Sequence, residues 1–294
     1  MQNDNIKSYF QLHLIVFIWG FTAILGALIS LDALPLVWYR MLLAVGFIAL
    51  FIAYKKISLK IPVMTGIRFL FAGLVIAIHW LTFFMAIKVS NVSLTLACLS
   101  TGAFFASLLE PIFYKRKVIW YEVLFGIVVI FGLYIIFNVQ GNYIEGIILA
   151  LISAFLSALF SVINGKFAKQ YSPTVITFYE LVGGVFFLTL FLLFTGSFKA
   201  EFFTLTTSDW GWLFVLSSIC TAYAFIGSVK VMQFLTPYTV MLTINMEPIY
   251  GIILAVIFFP EKEKMSFEFY IGALVILSTV IINGIIKNYK KVRN

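Results

Sequence analysis

The chain has 294 residues, 63% hydrophobic and only 11% charged, with a mean hydropathy of +1.08. A soluble domain of this length needs roughly a quarter of its residues charged to cover its surface, so the surface left apolar here faces lipid. The net charge of +8 does not point to nucleic acid, because the lysines and arginines fall in short clusters between long apolar runs rather than along one amphipathic face.

A helix crosses a hydrocarbon core of about 30 Å with about 20 apolar residues. In chain order the sequence offers ten such runs, near 12–29, 36–54, 67–87, 92–113, 119–137, 146–165, 174–195, 211–231, 237–259 and 267–286. The runs are apolar on every side rather than alternating, which excludes a lipid-facing barrel. The expected fold is therefore an all-α integral membrane protein of ten transmembrane helices. The segment from Met1 to Gln11 carries one lysine, Lys7, and the apolar stretch after it contains Trp19 and Gly20 without a clear cleavage site, so it reads as a retained first helix. Arg40 falls in span 2 behind Pro35, His79 and Trp80 near the middle of span 3, Glu110 near the end of span 4, Glu180 in span 7 behind Pro173, and Glu247 halfway along span 9 before Pro248. Cys98 and Cys220 lie inside apolar runs with no paired spacing and read as small buried hydrophobes, with no disulfide or metal site expected.

Orientation follows from the loops. With the N-terminus inside, 15 of the 20 basic residues fall on the cytoplasmic side, including Lys55, Lys56, Lys60, Arg68, Lys115, Arg116, Lys117, Lys166, Lys169 and Lys230. The outer side receives Lys88, Lys199, Lys262 and Lys264. That bias places both termini in the cytoplasm of a bacterial-type inner membrane.

The two halves repeat each other, with residues 1–140 and 141–294 each holding five spans. A shift of 146 carries Tyr121-Glu122, Gly126, Val129-Ile130 and Ile135-Ile136 onto Phe267-Glu268, Gly272, Val275-Ile276 and Ile281-Ile282. An odd number of spans per half makes the second copy enter the membrane inverted, the arrangement from which many secondary carriers build two gates around one central site.

Leu14 to Phe21 ending in Trp19-Gly20-Phe21, a proline-led span 2 with Arg40, the Met85 to Leu94 segment, and Met246-Glu247-Pro248 leading to Phe259-Pro260-Glu261 together resemble the EamA-type branch of the drug/metabolite transporter superfamily. The resemblance covers nearly the whole chain. It implies a ten-helix carrier, an exporter of amino acids or related metabolites, with a central cavity lined mainly by spans 1, 3, 4, 6, 8 and 9. Two positions depart from the pattern: Thr101-Gly102 stands where the second half has Glu247-Pro248, and Lys115 where it has Glu261.

An ionisable group at a helix centre costs on the order of 2.5 to 3.5 kcal/mol and asks for a reason. Glu247 suits a substrate ammonium or a proton, and His79 can line the cavity or shuttle protons. Arg40 and Glu180, within about two turns of a membrane face, read as snorkelling or ion-paired residues. Trp19, Trp80, Thr101, Ser157, Asn164, Tyr223 and Asn245 complete the expected substrate-binding set, although small polar residues also serve membrane helix packing. The expected partners are a small polar solute, membrane lipid and a coupling proton, with no cofactor. The competing readings are a nucleotide-sugar or drug carrier, and a membrane enzyme acting on lipid-linked substrates. The enzyme reading lacks an interfacial acidic or histidine cluster or a nucleophile with its base. A channel or receptor would need a charged ring or a sensing domain, and the longest loop, Gly196 to Asp209, is too short for the latter.

Overall fold

A computed structural model describes residues 2–115, 117, 120–139 and 141–293. Arg116 of the loop tally and the first residue of the expected span 5 lie outside these. The described chain is helical throughout, with thirteen α-helices: α1 (Gln2–Leu28), α2 (Ala33–Lys55), α3 (Val63–Val89), α4 (Val92–Leu99), α5 (Gly102–Tyr114), α6 (Trp120–Val139), α7 (Ile144–Phe167), α8 (Pro173–Phe194), α9 (Thr207–Ser217), α10 (Ala224–Val231), α11 (Pro237–Ile244), α12 (Glu247–Phe258) and α13 (Phe267–Arg293). Among the described residues, seven stretches are long and apolar enough to cross a membrane: 6–28, 33–55, 63–89, 92–114, 144–167, 173–194 and 207–231. Three further apolar stretches, Leu124–Ile136, Glu247–Phe258 and Phe267–Thr279, are shorter.

Helix starts follow local chemistry. Pro173 opens α8 and Pro237 opens α11, positions where a missing N–H costs nothing. The Asn91 side chain accepts from Leu94 N–H (2.8 Å) at the head of α4. Thr206 and Asp209 form a reciprocal capping box on α9.

Two of the expected spans are interrupted rather than continuous. Between α4 and α5, Ser100 and Thr101 leave the helix path, and their hydroxyls donate to the carbonyls of Ala97 (2.6 Å) and Cys98 (2.8 Å). Between α11 and α12, Asn245 and Met246 make the break, with Pro248 unable to donate in the next turn. A π-helical turn, Ser218–Tyr223, joins α9 to α10. Backbone groups freed at membrane depth are tolerated where protein or a cavity surrounds them, and Leu99, Ile244 and Glu247 at these two breaks all line one cavity.

Helix α3 packs against α7 and α8, α2 against α8, α1 against α10 and α12, α4 against α7 and α12, and α6 against α13. The α3–α8 contact is backbone against backbone. A Cβ at Gly73 would collide with the main-chain carbonyl of Glu180, and one at Gly183 with the main chain of Leu70. Small residues let membrane helices approach this closely. Gly73→Ala is therefore expected to destabilise the purified protein by about 1 to 3 kcal/mol. Gly46→Ala, where nothing lies within 4 Å, should leave the melting temperature unchanged or slightly raised; equal melting of the two variants would contradict the backbone contact.

Carboxylates tie distant segments together at one end of the bundle. Ser30 donates from its N–H and its hydroxyl to Asp209 (both 2.7 Å). Val92 and Ser93 N–H at the head of α4 donate to Glu263 (2.9 and 2.8 Å). Lys88 Nζ donates to the carbonyl of Ile29 (2.6 Å). The large apolar residues left outside, such as Phe194 and Phe10 at 87% and 81% exposure, suit contact with lipid.

Candidate functional site

A cavity lies where α1, α2, α3, α7 and α10 meet the two helix breaks. Mainly apolar and aromatic walls with a few placed polar groups are the usual make-up of a small-molecule site. Here Trp19, Trp80, Phe83, Phe160 and Phe225 make the walls, and Thr22, Arg40, His79, Ser157 and Glu247 supply the polar groups.

Five of the nine residues expected from the sequence meet in this cavity: Trp19, His79, Trp80, Ser157 and Glu247. Trp19 Nε1–H donates to the carbonyl of Cys220 in the π-helical turn (3.0 Å), tying α1 to it. The His79 Nδ1 lies 2.9 Å from the Ser153 carbonyl and 2.8 Å from its hydroxyl, and that hydroxyl donates to the His79 carbonyl (3.0 Å). A carbonyl only accepts, so Nδ1 carries the hydrogen of this bond and Nε2 is the nitrogen left for other chemistry. The ring sits 5.4 Å from that of Phe160.

The other four lie elsewhere. Thr101 is fully buried at the α4–α5 break, its hydroxyl spent on Cys98. Asn245 is buried in the second break, next to the cavity residue Ile244, with its Nδ2 lacking a hydrogen-bond partner among the described residues. Asn164 is buried on α7 and donates to Glu180 Oε2 (3.2 Å). Tyr223 is 53% exposed and is not among the residues that line the cavity.

Sequence reasoning left Arg40 out of the site. The structure buries it to 1% exposure in the cavity wall. Its guanidinium lies 3.8 Å from the centroid of the Trp80 ring and 5.5 Å from that of Phe84, a cation–π arrangement suited to arginine. Nε–H donates to Thr221 Oγ1 (2.8 Å) in the π-helical turn, whose own hydroxyl donates to the Leu216 carbonyl near the end of α9 (2.7 Å). The Arg40 Nη1 is buried with no hydrogen-bond partner among the described residues. Arg40 and Glu247 thus present a guanidinium and a carboxyl group to a single aromatic-walled space. The signal was present in the sequence: an arginine beside aromatic residues in an apolar span has to find a buried partner.

Comparison with known proteins points in the same direction. The model of the EamA-like transporter family matches residues 6–138 and again 144–285. A protein of Archaeoglobus fulgidus named an uncharacterized transporter is 24% identical over 292 residues, covering 94% of this chain and 96% of its own. A solved crystal structure superposes with a TM-score of 0.68 at 13% identity, over 94% of this chain and 96% of that one, a likeness of fold.

Proposed function

The chain belongs to the EamA-like transporter family, within the drug/metabolite transporter superfamily, and we propose that it is a secondary carrier exporting a small zwitterionic metabolite of the amino-acid class. The observation that carries this reading is that Arg40 and Glu247 line one cavity. A carboxylate suits the guanidinium, whose Nη1 still has a hydrogen to donate; an ammonium suits the carboxylate of Glu247. The aromatic walls then take an apolar side chain, which favours amino acids over nucleotide sugars.

Ten transmembrane spans in two inverted repeats, moving by alternating access, complete the proposal. In this reading α4–α5, α9–α10 and α11–α12 each count as one interrupted span. Three observations support it. The family model matches twice, once in each half. The shift of 146 carries Ser100 and Thr101 onto Met246 and Glu247, within one residue of the second helix break. Much of the packing also repeats on exchange of the halves: α3 on α7 answers α10 on α1, α5 on α7 answers α12 on α1, α4 on α12 answers α11 on α5, and α2–α8 and α6–α13 are each a span against its own counterpart. Interrupted helices facing a central cavity are a recurrent substrate site in such carriers.

Two experiments test the proposal. In proteoliposomes containing the purified protein, labelled amino acids should exchange across the membrane, while nucleotide sugars and cationic drugs should not; the reverse result would replace the amino-acid reading. Reporter fusions after Lys60 and after Arg293 should both report cytoplasm, and one in the Gly196 to Asp209 loop the outside. The last two on one side would rule out ten spans.

A further inference from the structure

Away from the cavity, one group of buried polar side chains is left with unmet hydrogen-bonding capacity. Thr177 and Glu180 lie three residues apart on α8 and so share a face. Asn164 on α7 reaches Glu180, donating from Nδ2 to Oε2 at 3.2 Å. All three side chains are 0% exposed. Glu180 Oε1, Asn164 Oδ1 and Thr177 Oγ1 have no hydrogen-bond partner among the described residues, whereas buried oxygens ordinarily find one.

No positive charge of the described residues answers this carboxylate. The helices packed on α8 are α2, α3 and α10, and their basic residues are turned outward or engaged elsewhere. Lys55, Arg68 and Lys230 are exposed. Arg40 stacks on Trp80 and bonds Thr221, His79 bonds Ser153, and Lys88 bonds Ile29. On α7, Glu145 and Lys166 are exposed, the latter over Phe113 and Tyr114. Of the tyrosines, Tyr179 donates to the Leu59 carbonyl, Tyr39 to that of Phe202, and Tyr54 is exposed. A buried carboxylate without a counter-charge is costly, and a single positive charge removes that cost. One carboxylate, one amide oxygen and one hydroxyl are hard donors that suit a proton or sodium, not a soft metal.

The cluster also stands in line with the cavity. Ser157, Phe160 and Asn164 succeed one another at helical spacing along one stripe of α7. The first two line the cavity, and Asn164 lies roughly 10 Å beyond Ser157 at 1.5 Å per residue. Phe160 stands between, its ring 6.0 Å from that of Phe225.

We propose that Glu180, with Asn164 and Thr177, forms a second binding site, for one monovalent cation, whose occupancy is coupled to the cavity through α7. The coupling rests on the reading of the chain as a carrier; the binding does not. Proton and sodium share the chemistry of neutralising Glu180, and one experiment separates them. Dicyclohexylcarbodiimide, an apolar reagent, adds to protonated carboxyls in apolar surroundings, and peptide mass mapping locates the adduct. The full chain in membrane vesicles is treated from acid to alkaline pH in sodium or in potassium chloride.

Modification of Glu180 that falls about tenfold per pH unit above its midpoint, equally in both salts, assigns a proton. Modification suppressed by sodium but not by potassium assigns sodium. No adduct on Glu180 at any pH, or an adduct indifferent to both pH and salt, overturns the proposal. Because the readout contains no transport step, a carrier reading that failed would leave this result standing, and the converse holds. Wild-type protein suffices, so a Glu180→Gln variant that did not fold would not obscure the outcome.

Discussion

Arg40→Lys is expected to weaken amino-acid transport by about a hundredfold while the purified protein stays folded. Lysine keeps the charge, yet it loses what the structure uses: the planar face 3.8 Å from the Trp80 centroid, the Nε–H bond to Thr221, and a fixed second donor, Nη1, in the cavity wall. Losing one charge-assisted hydrogen bond to substrate together with the ring contact costs about 3 kcal/mol, and each 1.4 kcal/mol is tenfold in affinity. Arg40→Met removes the guanidinium altogether, so counterflow of a labelled amino acid should disappear. Because it takes away a buried cation while Glu247 stays, it is also expected to lower the melting temperature, at a cost of about 3 to 5 kcal/mol, and Arg40→Lys is the variant that separates function from folding. Wild-type half-saturation in Arg40→Lys would mean that the guanidinium does not touch substrate.

Glu247→Gln should reduce transport of amino acids comparably, and it should also erase a distinction. Against a wild type that prefers an amino acid over its deaminated analogue, the variant is expected to handle the two alike, because only the ammonium interacts with the lost charge. The amide matches the carboxylate in size and can still hydrogen-bond, so the melting temperature should change little. A variant that transports normally but melts early, by the about 3 to 5 kcal/mol typical of a broken buried charge pair, would make Glu247 a packing residue. Combining Glu247→Gln with Arg40→Lys tests whether both groups act on one ligand: the double variant should lose less than the product of the single losses.

The membrane class and most of the helical stretches were legible in the sequence because hydropathy reports composition, and composition decides what can face lipid. Span 2, expected near 36–54, is the helix Ala33–Lys55, and span 7, expected near 174–195, is Pro173–Phe194. Hydropathy does not register the hydrogen-bond path. It therefore passed over the breaks at Ser100–Thr101 and Asn245–Met246, although Gly102 and Pro248 marked their positions.

Angular position was harder still. An α-helical projection assumes 3.6 residues per turn, and the π-helical turn Ser218–Tyr223 inserts an extra residue that rotates the rest of the helix. Thr221 is consequently buried against Arg40, and Tyr223 is half exposed. Arg40 itself was judged by depth along its span. Burial depends on the face its side chain takes, and a single sequence carries that only through the partners it must meet.

The carboxylate ties at one end of the bundle bear on which positions can drift. Glu263 receives the main-chain N–H groups of Val92 and Ser93, and Asp209 receives the main-chain N–H of Ser30 along with its hydroxyl. A bond to the main chain does not depend on which side chain the donor residue carries. Substitutions at 92 and 93 can then spread through packing alone, whereas Glu263→Gln offers one acceptor oxygen where two are used. A saturation library scored for membrane-inserted, folded protein should accordingly show a lopsided pair: broad acceptance of small and apolar residues at 92, and near-intolerance at 263.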